Sequence, residues 1–332
     1  MKSLKVVVIG NSGHYEYVTD SKKDNFVISA VASGHERENI GDFNKEFINK
    51  FGGYKEYENA YEMLDKEKPD IAVINTVFNC NTGFVLDCLK RGINVFCEKP
   101  IASTTDELNE IKQVYYNIQK DHSVSLMGMF GISYDKHFTV AEKCIDEGVL
   151  GELRLIETQK SYKLGNREWY YYSKETYPGT IPWVSIHGIE WMYGVCNVKF
   201  DKVFSKQSSK FNNSFGDMET VCTSVFTNTE KEIIGIAASD YYRPSGCSTH
   251  GDDRMRCVGT KGILEVSDGI VKLNDGKERI IDYDVERHIF DEFIDSVYGT
   301  HTRRTHAEYT FDVTEAALKA RDSAYAGTEM KI

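Results

Sequence analysis

The sequence predicts an α/β chain in two parts: a doubly wound parallel sheet, then an α/β domain built on a large, mostly antiparallel sheet. Three observations predict it. In the first third of the chain, short runs apolar at nearly every position alternate with amphipathic helical stretches, the mark of parallel strands covered on both faces. Beyond about residue 150 the strands alternate apolar and polar residues, as half-exposed antiparallel strands do. A length of 332 residues suits two domains at roughly 100–200 residues each.

The elements follow in order. Residues 5–9 form an apolar strand ending at Gly10, followed by strands at 26–32, 70–75, 94–97 and 123–129. Helical stretches at 59–66, 82–91 and 106–119 lie between them. Right-handed crossovers then wind the sheet on both sides. The third helix has a marked start, because Thr104 and Glu107 have capping-box spacing. In the second part, strands are expected at 151–163, 198–210 and within 218–242. Asp268-Gly269 and Asp275-Gly276 mark hairpin turns, where both residues tolerate positive φ. Helices are expected at 136–147, 183–193 and 286–298, and a last one from the capping box Thr305–Glu308 to Gly327. The domains divide as 1–122 and 123–332.

Composition narrows the function. Apolar residues make 41% and charged residues 27%, ordinary for a globular protein. Lys plus Arg is 40 against 51 for Asp plus Glu, a net charge of -11 with no basic arm. This argues against nucleic acid and anionic membrane as partners. The eight cysteines include no Cys-x-x-Cys pair, so no metal centre is expected. They read as reduced, mostly buried thiols of a cytoplasmic protein. The apolar run 6–9 is too short for a signal-peptide core, and no run reaches the length of a membrane span.

Two motifs carry chemistry. The turn Gly10-Asn11-Ser12-Gly13-His14-Tyr15 directly follows the first strand. Its backbone N–H groups suit a dinucleotide pyrophosphate, although only Gly10 fits the glycine register of the usual fingerprint. The second strand ends at Ser33 with no acid at its tip, and Arg37 is near. That tilts the cofactor slightly from NAD toward NADP. The second motif, Glu98-Lys99-Pro100, stands at the carboxyl end of a buried strand, where such sheets bind ligands. A lysine there can polarise a substrate hydroxyl, Glu98 can hold the lysine, and Pro100 fixes the turn.

With these motifs the chain resembles the Gfo/Idh/MocA family of NAD(P)-dependent oxidoreductases over nearly its whole length. The resemblance rests on the strand 70–76 with 82–89, on Glu98-Lys99-Pro100 with Ala102 and Glu107, on Gly148 to Glu152, on Gly259 to Val266, and on the closing segment 316–324. It implies a Rossmann domain, then an α/β domain with a large, mostly antiparallel sheet, with the last helix (about 306–326) packing back near the first domain. It implies action on sugars, inositols or related polyols and ketones, and a homo-oligomer, dimer or tetramer. Thr76 and Asn81, after the third strand, become cofactor candidates with Gly10, Asn11, Ser12, Gly13, His14, Ser33, Glu98 and Lys99. The family often has Thr-Pro and a later histidine there; this chain has Thr76-Val77 and Asn81.

The segment Gly179 to Glu190 completes the reading. Trp183, His187 and Glu190 fall on one face of a helix whose first turn holds Pro182. A histidine is suited to move a hydroxyl proton near neutral pH. In the family pattern an aspartate precedes that histidine by four residues; here Trp183 holds its place, so either Glu190 or another group replaces the carboxylate, or the substrate pocket is reshaped, or catalysis is lost. Trp169, in an aromatic run, can face a sugar ring with Trp183. Residues 248–253 gather His250, Asp252 and Asp253 and read as a solvated loop. The sequence thus reads as an oxidoreductase with Lys99 and His187 as catalytic residues. A non-catalytic sensor of a dinucleotide and a sugar is the alternative.

Overall fold

The computed structural model describes residues 3–43 and 45–332. It divides into two units, Met1–Gly131 with His288–Phe311, and Ile132–Arg287 with Asp312–Ile332.

The first unit holds β1 (Leu4–Ile9), α1 (Glu16–Thr19), β2 (Phe26–Ala32), α2 (Lys45–Phe51), β3 (Lys55–Tyr57), α3 (Ala60–Glu67), β4 (Ile71–Ile74), α4 (Asn81–Lys90), β5 (Asn94–Cys97), α5 (Thr105–Ile118) and β6 (Leu126–Gly128). Their sheet runs in the order β3-β2-β1-β4-β5-β6, and every pairing is parallel. This is the doubly wound order whose direction reverses between β1 and β4, so a crevice opens at their carboxyl ends. Val6 to Ile9 and all of β4 are fully buried, which is why these strands lack alternation. Two helix starts carry the side-chain caps that their sequences offer. The Asn59 side chain accepts from Glu62 N at 3.0 Å, and Thr104 with Glu107 forms the expected box. β6 pairs with β5, so the first unit extends to Gly131, whereas the sequence reading divides the chain at 122.

The second unit holds α6 (Lys136–Asp146), β7 (Leu153–Tyr162), a π-helical turn at Ile181–Ser185 leading into α7 (Ile186–Gly194), β8 (Lys202–Ser208), β9 (Val221–Asn228), β10 (Ile233–Asp240), β11 (Gly251–Gly259), β12 (Ile263–Ser267), β13 (Ile270–Asn274) and β14 (Glu278–Ile281). α8 (Ile289–Val297) returns to the first unit; α9 (Ala307–Ala326) and β15 (Met330–Lys331) close the chain. The sheet order is β14-β13-β12-β11-β7-β10-β9-β8-β15, antiparallel except for β7 with β10.

Several expectations change here. Residues 251–253 are not loop: they open β11, paired with β7. Asp268 and Gly269 both take positive φ, as the hairpin reading requires, but in the second turn Gly276 does so and Asp275 does not. The last helix starts after a 3-10 turn capped by Thr302 rather than at a Thr305 box, because Thr305 is already spent on Thr302 N at 2.9 Å. Its first residues group with the first unit: Thr310 Oγ1 accepts from Gly128 N at 2.9 Å, and Phe311 meets Tyr115 edge-on at 5.5 Å.

Candidate functional site

In the first unit the candidates gather at the carboxyl ends of β1, β2, β4 and β5. Gly10 leaves β1 with φ +78, a conformation that L side chains rarely adopt. Ser12 N donates to Asn75 O at 2.8 Å, fixing the turn over the end of β4. Asn11 Nδ2 donates to Asn39 O at 2.6 Å. Gly13 sits where no side chain fits: a Cβ there would lie 2.5 Å from Glu98 Oε2 and 3.0 Å from Asn75 Oδ1. The off-register glycine thus serves close approach to β5.

Glu98 is fully buried, and its carboxylate turns to the glycine turn. Oε2 accepts from His14 N at 2.8 Å and contacts His14 Nδ1 at 2.6 Å, while Oε1 accepts from the Lys99 N–H at 2.9 Å. Burial alone would raise this carboxyl; His14, with Lys99 beside it, holds it below the usual carboxylate range. The bond to Lys99 comes from its backbone N–H, and the Glu98 carboxylate clamps the turn after β1 to the end of β5. Lys99 is 1% exposed, and the Lys99–Pro100 peptide is cis. Asn81 braces this corner from α4, its Nδ2 donating to Glu98 O at 3.3 Å and Pro100 O at 3.4 Å.

Ser33 and Thr76 meet a residue that the sequence reading missed. Glu38 folds back to the tip of β2, where its carboxylate accepts from Ser12, Gly34, His35 and Thr76. Ser33 Oγ donates to Glu38 O at 3.4 Å. Asn75 was missed too. It is fully buried beneath the turn, and neither Nδ2 nor Oδ1 has a hydrogen-bond partner among the described residues. A buried amide with both ends open is costly unless something supplies a donor and an acceptor. Its only sequence signal is its place at the end of an apolar strand.

In the second unit, Trp183, His187 and Glu190 lie on a segment buried from Ile181 to Cys196. The expected single helix face is interrupted. Trp183 belongs to the π turn, and His187 and Glu190 to the α-helix after it. π turns of this kind recur at functional sites. Trp183 meets Tyr171 edge-on at 6.3 Å and is mostly core. Trp169 stands on a 3-10 turn, edge-on to Tyr170 at 5.5 Å. Glu190 Oε1 accepts from Ser133 Oγ at 2.9 Å, a partner that the sequence did not suggest. His187, at 2% exposure, lies one helical turn before Glu190 and one before Trp191.

Trp191 stacks on Phe138 at 4.2 Å and leaves its buried Nε1 without an acceptor among the described residues. Lys160 Nζ lies 5.9 Å from the same ring and bonds Asp253 Oδ2 at 2.5 Å. Burial lowers the Lys160 ammonium, and Asp253 pulls it partly back. The segment read as solvated loop thus neutralises a buried lysine on β7.

Residues 4–125 match the family described as "Oxidoreductase family, NAD-binding Rossmann fold", and residues 138–265 match the GFO/IDH/MocA C-terminal domain. An inositol 2-dehydrogenase of Burkholderia multivorans is 26% identical over 219 residues, covering 62% of this chain and 61% of that one. The first three curated relatives are matched over only 43% to 61% of their own lengths. A solved Thermotoga maritima chain assigned as an oxidoreductase is 42% identical, with a TM-score of 0.95 over 99% of this chain and 100% of that one. An aldose-aldose oxidoreductase from Caulobacter crescentus, complexed with glycerol, has a TM-score of 0.80 at 16% identity over the full length of both chains, a likeness of fold. No helix among the described residues is long and apolar enough to cross a membrane.

Proposed function

The chain belongs to the Gfo/Idh/MocA family of NAD-binding oxidoreductases, and from that membership we propose that it is an NAD(P)-dependent dehydrogenase or reductase acting on a CH–OH group of a sugar, inositol or related polyol or ketone. The observation that carries the reading is the fully buried Asn75 amide, with both ends open beneath a turn that leaves no room for a side chain at Gly13. Such a cradle fits a dinucleotide, which brings both donors and acceptors. The bound nicotinamide would supply two-electron chemistry.

The chain's own residues divide the remaining work. The turn spends the N–H groups of Ser12 and His14 on Asn75 and Glu98, so those of Asn11 and Gly13 are the ones offered to a phosphate. Lys99 holds a positive charge in a buried setting and polarises the substrate oxygen, favouring its alkoxide character. His187 gives or takes the hydroxyl proton. Glu190, held by Ser133, supplies the carboxylate that Trp183 does not, while Trp169 and Trp183 offer apolar faces to a ring. The inositol 2-dehydrogenase relative supports the polyol class.

Trp183 favours one rival, a sensor that binds dinucleotide and sugar without turnover. The test is to follow the reduced-nicotinamide absorbance over a panel of inositols, sugars and their ketones with either cofactor. Turnover is expected, and Lys99→Met and His187→Ala should each lower kcat by about 100-fold or more. Dinucleotide binding without turnover anywhere in the panel would favour the sensor. Normal turnover by Lys99→Met would remove the role given to that lysine.

A further inference from the structure

We propose that Glu38 makes this chain select NAD over NADP; the inference rests on the dinucleotide reading above. β2 ends without an acid, yet an acid reaches its tip from five residues past Ser33. The Glu38 carboxylate is held from three loops at once. Oε1 accepts from Ser12 Oγ at 2.6 Å, in the loop after β1. Oε2 accepts from Gly34 N at 2.8 Å and His35 N at 3.0 Å, after β2, and from Thr76 Oγ1 at 3.1 Å, after β4. Oε1 lies 2.9 Å from where a Gly10 Cβ would stand. The group is therefore fixed at the crevice that the strand order opens.

The distribution of those bonds has a chemical consequence. Oε2 is saturated by three donors, whereas Oε1 accepts one and keeps acceptor capacity. A ribose 2′-hydroxyl has a proton to give that oxygen. A 2′-phosphate has none and carries close to two negative charges. A second observation points the same way. The cavity beside the β2 tip, about 490 Å³, is lined by Glu36, Glu38, Glu56 and Glu58 together with Ser33 and His35. Arg37, which a 2′-phosphate would need, lies outside that lining. Four carboxylates against one histidine make a field that repels a phosphate dianion. The NADP tilt read from Ser33 and Arg37 is reversed by a residue that only the folded loop brings to the tip.

Calorimetric titration of wild type, Glu38→Gln and Glu38→Ser with NAD and with NADP tests this without any substrate, each variant being checked for a native melting transition. Wild type should bind NAD at least about tenfold tighter, and both substitutions should shrink that ratio about tenfold or more. Added salt should also shrink the wild-type ratio, because the repulsion is screened. Equal or tighter NADP binding by wild type overturns the proposal, whatever the variants do. So does an unchanged ratio in a folded Glu38→Gln. Failure of wild type to bind either dinucleotide overturns the underlying reading, and is distinct from a reversed preference.

Discussion

The contact between Gly13 and Glu98 joins positions 85 residues apart in the chain, one in the turn after β1 and one at the end of β5. The carboxylate is fully buried, takes two contacts from His14, and leaves 2.5 Å for any Cβ on Gly13. Gly13→Ala must therefore push the turn off β5. The expected cost is about 1–3 kcal/mol, as for overpacking elsewhere, together with weaker dinucleotide binding. Thermal melting and calorimetric titration of the variant check both, and an unperturbed Gly13→Ala would mean that the turn is slack. Glu98 and Lys99 were legible in the sequence because they form a local motif. The contacts that set their geometry were not: His14 and Asn81, though named as candidates, and Asn75, which was not, meet this corner through the sheet order, which no local pattern encodes. Glu38 was hidden differently, since a loop that doubles back places an acid where linear spacing finds a serine.

Elements were most legible where burial is nearly uniform, as in β1, β4 and β5. β3 escaped because Lys55–Tyr57 is a three-residue polar edge strand with no alternation to see. The π turn before α7 escaped because hydrophobic periodicity cannot register one turn of different pitch inside a stretch buried throughout. α8 has a clear amphipathic pattern, but its destination was not evident. Its Phe290 is fully buried among Phe26 at 5.3 Å, Phe96 at 5.2 Å and Phe293 at 6.0 Å, so the helix seals the first unit rather than the second. Phe290→Ala should destabilise that unit by about 3–5 kcal/mol. The measurement is denaturant unfolding with and without dinucleotide. A loss well under 1 kcal/mol would show that α8 is not part of the first unit's core.

At the scale of the whole molecule, the two pH limits of stability rest on different kinds of group. On the acid side stands Glu67, 5% exposed in the first unit, with Lys5 Nζ at 2.7 Å, Lys55 Nζ at 2.8 Å and Tyr57 OH at 2.7 Å. These partners, Lys5 foremost, lower its pKa from 4.5 to about 2. A carboxyl depressed in the folded state contributes stability that is present above its unfolded pKa and lost as pH falls through the folded one. The window for Glu67 is thus pH 4.5 down to about 2, and Glu98 adds in the same direction. On the alkaline side stand Tyr171, Tyr177 and Tyr241 in the second unit, their phenols raised above the ordinary value of 10.0 foremost by burial. The sign is opposite: their stability is intact below that value and lost as pH rises beyond it. The buried thiols of Cys88, Cys97 and Cys222, also raised by burial, draw the alkaline loss into both units. Melting temperature measured against pH should therefore separate two variants. Glu67→Gln should flatten the acid arm and leave the alkaline arm in place. Tyr177→Phe, which removes a hydroxyl bonded to Thr180 at 3.0 Å, should move the alkaline arm alone. An acid arm that keeps its full slope in Glu67→Gln would show that the lysine pair does not set the acid limit, and would shift it to the other depressed carboxylates, Glu98, Asp201, Asp252 and Asp275.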